Sequence, residues 1–316
     1  MAGVIRVAAL QMNAMLGDAR ANLDKADLLV EEAAGKGARI IILPEFFTSA
    51  VAYHPSLPNA ILPFHEKALA LLVDKAKKHK AYVGGSFIVP RDGDLFNTFF
   101  LAMPDGTTAS HDKDQPTMWE NCYYIGGHDD GILETPMGPF GAVLCWEFIR
   151  NRTVQRLLGK VDLVVGGSCW WTVPQNWPVK WFWRWHHDKN TKLMASTPST
   201  LSRLLGVPVI HSAHAGDFKA SMPMIPGAPY DSFYLGEAQI VDKTGTIIAR
   251  RKREEGDGVI TGEIELDRTS PSLPHTASFW IPRIPVLFRM VWTYQNAHGR
   301  RYYRKAGYLW KGSQST

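Results

Sequence analysis

The sequence predicts an α/β sandwich with mixed sheets, built as one domain over residues 1–268 and followed by an extension over residues 269–316. Two patterns carry that expectation. Short runs rich in β-branched residues alternate with helix-period segments early in the chain, and hairpin signals are interleaved further on. In addition, no internal repeat, linker or low-complexity segment divides the chain before the extension.

Residues 4–11 and 38–43 are short apolar runs of the kind that form buried strands. Between them, residues 21–34 carry Leu23, Ala26, Val30 and Ala33 at helical spacing, with Asp18 placed as a cap and Gly35 and Gly37 as stops. A second helix is predicted over residues 63–80, with Phe64, Ala68, Leu71, Leu72 and Ala76 on one face, and a strand over 81–89 follows. Residues 97–103 and 107–113 flank Pro104-Asp105-Gly106, a hairpin turn. A buried strand is predicted at 140–144, a helix at 149–158, and further strands at 161–166 and 207–211 around a Trp-rich helical stretch. Residues 237–250 read as strand, Asp242-Lys243-Thr244-Gly245 turn and strand, and 259–266 close the set.

A chain of 316 residues, 45% hydrophobic and 21% charged, can bury a sizeable core without disulfides or metal. Cys122, Cys145 and Cys169 are odd in number and form no Cys-x-x-Cys pair, which argues against a disulfide framework and a structural zinc site. The first residues read as a strand and not as a signal peptide, and no apolar run approaches the roughly 18 residues of a membrane helix. The expected setting is reducing and cytoplasmic. Seven of the 35 basic residues, and no acidic one, fall in residues 269–316, so the body carries 28 basic against 30 acidic side chains. The net charge of +5 therefore belongs to the extension, and no nucleic-acid motif accompanies it. Trp280, Trp292, Tyr302 and Tyr303 share that segment, whose prolines are expected to break any long helix. It reads as an extension packed against another subunit of a homo-oligomer, not as a membrane anchor.

Three groups stand where α/β folds expose chemistry, just past a predicted strand. Cys145 ends Phe140-Gly-Ala-Val-Leu-Cys, before a helix whose first N–H groups are expected to draw the thiol toward thiolate. Taken alone, the position suits an inert core cysteine equally well. Glu45 ends Ile40-Ile-Ile-Leu-Pro-Glu, where burial would raise its pKa toward a general base's range. Lys113 ends the second hairpin strand, where it could stabilise a developing oxyanion. Alone, the first reads as an ordinary strand-end acid and the second as a loop lysine.

Together, and in this order, the three resemble the nitrilase superfamily. Leu43-Pro-Glu-Phe-Phe47 is similar to the glutamate motif of that family. Lys113-Asp-Gln-Pro-Thr-Met-Trp-Glu120 is similar to the Lys-x-x-Pro-Thr-x-x-Glu stretch of its nitrilase branch, and Gly138-Pro-Phe-Gly-Ala-Val-Leu-Cys-Trp-Glu147 to its cysteine motif. The resemblance spans residues 4–267 and implies a four-layer αββα sandwich, oligomerisation and no cofactor. It also implies roles: Cys145 attacks a nitrile or amide carbon, Glu45 takes the thiol proton, Lys113 steadies the tetrahedral intermediate, and Glu120 places lysine and substrate. Ammonia or an amine then leaves a thioester that water hydrolyses. The Trp146 backbone N–H is a further oxyanion donor, and Trp170 and Trp171, after a strand, are expected to wall an apolar substrate pocket.

Departures from the family pattern sit beside these groups: Phe148 for the usual Asn or His, Asn121 for Arg, and Asp112 for a basic residue. The expected reaction is nitrile hydrolysis to a carboxylic acid. Amidase or N-carbamoyl amidohydrolase activity is the alternative, and a non-catalytic assembly or binding protein on the same fold is the rival class. Cys169 is a second thiol at a strand end. His186, His187, His211 and His214 invite a metal reading, yet no carboxylate or cysteine in the sequence completes a set, and none is expected to bind metal.

Overall fold

The computed structural model describes residues 3–54, 57, 64–222, 225 and 228–311. Its strands are β1 (Val4–Met12), β2 (Ile40–Ile42), β3 (Tyr82–Arg91), β4 (Asp94–Ala102), β5 (Thr108–Asp112) and β6 (Ile132–Leu133). They continue as β7 (Phe140–Leu144), β8 (Leu163–Ser168), β9 (Val209–Ser221), β10 (Pro229–Val241), β11 (Ile247–Lys252) and β12 (Gly258–Glu265). The helices are α1 (Ala19–Gly35), α2 (His65–His79), α3 (Asn151–Leu157), α4 (Lys180–Leu205) and α5 (Val286–Lys311).

Side-chain alternation along the strands sorts these elements into four layers. One sheet runs β5-β4-β3-β2-β1 with β12 antiparallel to β1; the other runs β6-β7-β8-β9 with β10 and β11 beyond. Among the described residues they meet edge to edge where Gln11 and Met12 pair with Ala213 and His214. Val7 and Ala9 of β1 point into the layer between the sheets, with Ile42, Leu144, Val165 and Ile210. Ala8 and Leu10 point the other way, onto Ala26 and Val30 of α1 and Ala68 and Leu72 of α2. On the far sheet Val143, Val164 and Val209 meet Val154 of α3 and Leu201 and Leu205 of α4. This is the αββα sandwich expected above. Asp18 caps α1 as anticipated, its Oδ1 accepting from the Ala21 N–H at 3.0 Å.

Three differences from the expected elements matter. The helix anticipated from residue 149 is preceded by a 3-10 turn, Cys145–Ile149, and begins at Asn151. Strands β9 and β10 have 13 residues each, since Ala215–Ser221 pairs with Pro229–Leu235 as an arm extending past the sandwich. Pro63, the anticipated start of the second helix, lies outside the described residues.

The extension departs from expectation in forming a long helix. Its four prolines, at 271, 274, 282 and 285, all precede α5, so they fix where the 26-residue helix starts and do not interrupt it. The helix lies on its own chain. Asn296 Oδ1 accepts from the Met118 N–H (2.8 Å) and from Asn121 Nδ2 (3.0 Å), and the Tyr303 hydroxyl accepts from the Leu95 N–H (3.0 Å). Upstream, Trp280 packs edge-on against Trp146 with centroids 5.5 Å apart. Among the described residues no helix is long and apolar enough to cross a membrane.

Gly299 marks where α5 is pressed hardest on the body. A Cβ there would lie 2.5 Å from the Asn121 Cβ and 3.0 Å from its carbonyl carbon. Alanine is the better helix former by about 1 kcal/mol, but overpacking costs roughly 1–3 kcal/mol. Gly299→Ala is therefore expected to lower the urea midpoint; an unchanged or higher midpoint would show that α5 is not held this closely.

Candidate active site

The two layers of sheet bring three polar side chains together at the carboxyl ends of their strands. Glu45 follows β2 after Pro44, Lys113 follows β5, and Cys145 follows β7; all three are buried. Glu120 joins them from a 3-10 turn, Met118–Cys122, in which its own Oε2 accepts from the Thr117 N–H at 2.8 Å. Gly167 of β8 makes the approach feasible, since a Cβ there would sit 3.0 Å from Pro44 Cα and 3.1 Å from the Glu45 nitrogen. Cys145 holds a left-handed φ of 50°, which a non-glycine residue adopts only where its surroundings enforce it. That kink turns the chain out of β7 into the 3-10 turn. Trp146 follows it, and its N–H has no acceptor available within that turn.

Lys113 ties the group together. Its Nζ donates to Glu45 Oε1 and to Glu120 Oε2, both at 2.7 Å, with no exposed surface on any of the three. Asn97 Nδ2 adds a second donor to Glu45 Oε1 (2.9 Å), and the Cys169 N–H donates to Glu45 Oε2 (2.9 Å). The Tyr124 hydroxyl donates to Glu120 Oε2. Ligand atoms of Glu45, Glu120 and Cys145 lie within 4.8 Å of one another. The same carboxylates could serve a cation, but the Lys113 ammonium already occupies the place between them.

Burial sets the protonation of this group. It pushes Glu45 up to about 7 against the pull of Lys113, and the Glu120 charge raises it further. Burial also pushes the Cys145 thiol well up, with the Glu45 charge next in size and Lys113 opposing. The expectation that a turn's N–H groups would draw this thiol toward thiolate is thus corrected: desolvation and two facing carboxylates outweigh them. Lys113 stays charged, because Glu120 and Glu45 overcome the desolvation that would neutralise it.

A second layer of buried charge lies behind the cysteine turn. Glu147 Oε2 accepts from the Leu144 N–H (2.8 Å) and its Oε1 from the Asp114 N–H (3.0 Å). One carboxylate thereby clamps the two chain segments that carry Cys145 and Lys113. Burial would raise its pKa, but Arg156 and then His111 hold it well below the usual range. His111 Nε2 lies 3.1 Å from Glu147 Oε2, and its Nδ1 pairs with Asp129.

Next to Cys145 opens a cleft of about 690 Å³, part of it open to solvent. Trp146, Trp170 and Trp171 line it, joined by Trp177, Trp183 and Tyr230. Trp181 and Trp185 instead face solvent, 75% and 50% exposed. Leu287, Phe288, Val291 and Gln295 of α5 complete the wall, so the extension borders the site within one chain. Sequence reasoning missed these four, along with Asn97 and Tyr124. Glu147 was visible in the Cys-Trp-Glu motif without a role of its own.

The remaining candidates fall elsewhere. Cys169 is free and buried, and the site uses its backbone N–H. His211 bonds Ser168 Oγ (2.8 Å) and faces the Glu237 carbonyl, while His214 sets its ring nitrogens 3.2 and 2.8 Å from the carbonyl oxygens of Met12 and Glu45. Burial draws both down to about 4, and both hold strand ends. His186 faces the Phe182 carbonyl and His187 the Thr172 hydroxyl. Of the departures, Phe148 is buried edge-on to His211, Asp112 pairs with Arg91, and Asn121 serves as a seat for α5.

An αββα sandwich that buries a thiol, two carboxylates and a lysine at its strand ends is the nitrilase type of fold. Residues 6–272 match the model of the carbon-nitrogen hydrolase family, and the chain belongs to that family. Nitrilase 1 of Arabidopsis thaliana is 31% identical over 166 residues, or 45% of this chain and 47% of its own length. The chain thus spans about half the length of the plant nitrilases it matches. The 2-oxoglutaramate amidase of Bacillus subtilis (strain 168) is 23% identical over 268 residues, covering 84% of this chain and 92% of its own. The crystal structure of a carbon-nitrogen hydrolase from Helicobacter pylori G27 shares the fold, with a TM-score of 0.68 at 17% identity over 83% of this chain and 89% of that one.

The layer behind the cysteine has a measurable pH signature. Burial pulls the His111 imidazolium down, but the Glu147 charge and the bonds to Asp129 and Glu147 push it up to about 9 from 6.5. The folded state then holds a proton that the unfolded chain releases, so this stabilisation is full below pH 6.5 and lost as pH rises through about 9. The total is on the order of 3 kcal/mol. Denaturant titrations of the protein and of His111→Asn should diverge below pH 6.5 and converge above about 9; parallel curves across that window would contradict the charged histidine.

Proposed function

We propose that this chain hydrolyses a non-peptide carbon–nitrogen bond in a small apolar nitrile, through a thioester on Cys145. The observation that carries this reading is the Lys113 ammonium held 2.7 Å from both Glu45 and Glu120, with the Cys145 sulfur beside the two carboxylates. A base with a pKa of about 7 is matched to neutral operation, and a thiol that rests protonated needs one.

In this account Glu45 takes the thiol proton as Cys145 Sγ bonds to the nitrile carbon, and that proton passes to nitrogen, giving a thioimidate. Water, deprotonated by Glu45, adds to the same carbon; protonated nitrogen leaves as ammonia, and a thioester remains. A second water adds, the carbon–sulfur bond breaks, and the acid departs with the thiol restored. Two waters are consumed per nitrile. Lys113 and the Trp146 N–H face the charge that grows in the tetrahedral intermediates, the stage at which a fixed donor lowers the barrier most. The aromatic cleft takes the substrate's apolar remainder.

An amide is the second substrate class, and two observations favour it. A relative matched over 92% of its own length is an amidase. Glu120 Oε1 is buried without a partner among the described residues, so it can accept an amide N–H. A non-catalytic role gives no reason to hold a thiol, two carboxylates and an ammonium together away from water, an arrangement that is costly to bury.

Ammonia release from a panel of nitriles, amides and N-carbamoyl compounds decides the substrate class. Cys145→Ala is expected to abolish turnover of every active compound. Cys169→Ala keeps the backbone N–H and should retain most of it, and Lys113→Met should lose at least ~10²-fold in kcat. An active Cys145→Ala enzyme, or a near-normal Lys113→Met enzyme, would overturn the assignment.

A further inference from the structure

Gln295 of the cleft wall carries a buried acceptor that no described residue satisfies. Thr172 faces the His187 ring at 3.0 Å, and Asn190 accepts from Trp170 Nε1 and donates to the Trp171 carbonyl, both at 3.0 Å. Gln295 is 3% exposed, and its Oε1 has no hydrogen-bond partner among the described residues. A buried acceptor left unpaired costs free energy, and nothing in packing requires an amide at this position. Leu287, Phe288, Val291 and Gln295 fall on one face of α5 at helical spacing, and the first three supply the apolar contact a cleft wall needs. The next turns fix the helix register: Asn296 is bonded to the Met118–Cys122 turn and Gly299 is pressed on Asn121. Gln295 is thus held in the cleft wall by the segment that carries Glu120.

We infer that Gln295 is a specificity-determining residue: its Oε1 accepts a hydrogen bond from a hydroxyl or N–H group on the substrate's side chain, remote from the carbon that Cys145 attacks. No charged side chain lines the cleft, so a carboxylate or ammonium on that remote group would be stripped of water without a counter-charge. The substrate class is therefore a neutral, aromatic or long aliphatic nitrile or amide bearing one donor at its far end. This rests on the reading of Cys145 as the reacting centre. It goes beyond that reading in giving the C-terminal helix a share in substrate choice. A site built to bond a donor discriminates against the analogue that lacks it, because its own polar group is then left unpaired.

The test uses paired probes, ω-(4-hydroxyphenyl)alkanamides and -alkanenitriles with one to three methylenes, against the matching phenyl compounds. For at least one chain length the wild-type protein should prefer the hydroxyl compound by tenfold or more, in kcat/KM and in calorimetric binding to Cys145→Ala. Gln295→Met should erase that preference, chiefly through KM, while Gln295→Glu, which keeps an acceptor oxygen, should retain it. Gln295→Met should also raise the Tm of the free protein, since it removes an unpaired buried carbonyl. A preference that survives Gln295→Met, or no preference at any chain length, overturns the inference and leaves the proposed hydrolysis standing. Discrimination in binding that depends on Gln295, without ammonia from any probe, sustains the inference and counts against the hydrolysis.

Discussion

The structure depends on one buried cation between two buried carboxylates. Lys113, Glu45 and Glu120 have no exposed surface, and an unpaired charge in such a place is untenable. Removing one partner from a buried pair typically costs about 3–5 kcal/mol. The chain meets that constraint from four directions. β2 delivers Glu45, β5 delivers Lys113, β4 supplies Asn97, and the Met118–Cys122 turn supplies Glu120. Each donor on Glu45 comes from a different segment, so the carboxylate's position records the assembly of nearly the whole sandwich.

The same constraint explains the layer behind it. A net negative cluster beside Cys145 opposes ionisation of the thiol, so the geometry favours a thiol that waits for a base over a standing thiolate. Glu147 clamps the Leu144 and Asp114 N–H groups, and its own charge is balanced by His111 and Arg156. The polar chemistry is thus rigid and closed on one side, whereas the aromatic cleft on the other is bounded partly by α5. The body fixes the reacting atoms, and the extension helps to fix what can reach them.

How much of this was legible in the sequence depended on distance along the chain. Glu45, Lys113 and Cys145 could be singled out because each falls just past a predicted strand, and the family resemblance added Glu120. Trp170 and Trp171 follow from the same logic. Asn97 could not be found, since it lies mid-hairpin and gains meaning only when β4 passes Glu45. The direction of the Cys145 shift was misjudged for a similar reason: local backbone suggested stabilisation, and three-dimensional burial beside two acids reversed it. In the extension the aromatic content was visible, but not the surface it meets. The contacts of Trp280, Asn296 and Tyr303 lie on the chain's own body, a pairing across more than 130 residues that periodicity cannot reveal. The prolines were read as helix breakers, although their positions make them a helix start.

The most direct test of the account is the pH dependence of Cys145 alkylation by iodoacetamide, followed site by site with peptide mass spectrometry. If the thiol rests protonated and Glu45 draws off its proton, the rate should rise with a midpoint near 7, where Glu45 ionises. It should fall sharply at neutral pH in Glu45→Gln. A rate at pH 7 that Glu45→Gln leaves unchanged would show a self-sufficient thiolate, and would contradict the central role given to the buried carboxylate and its lysine.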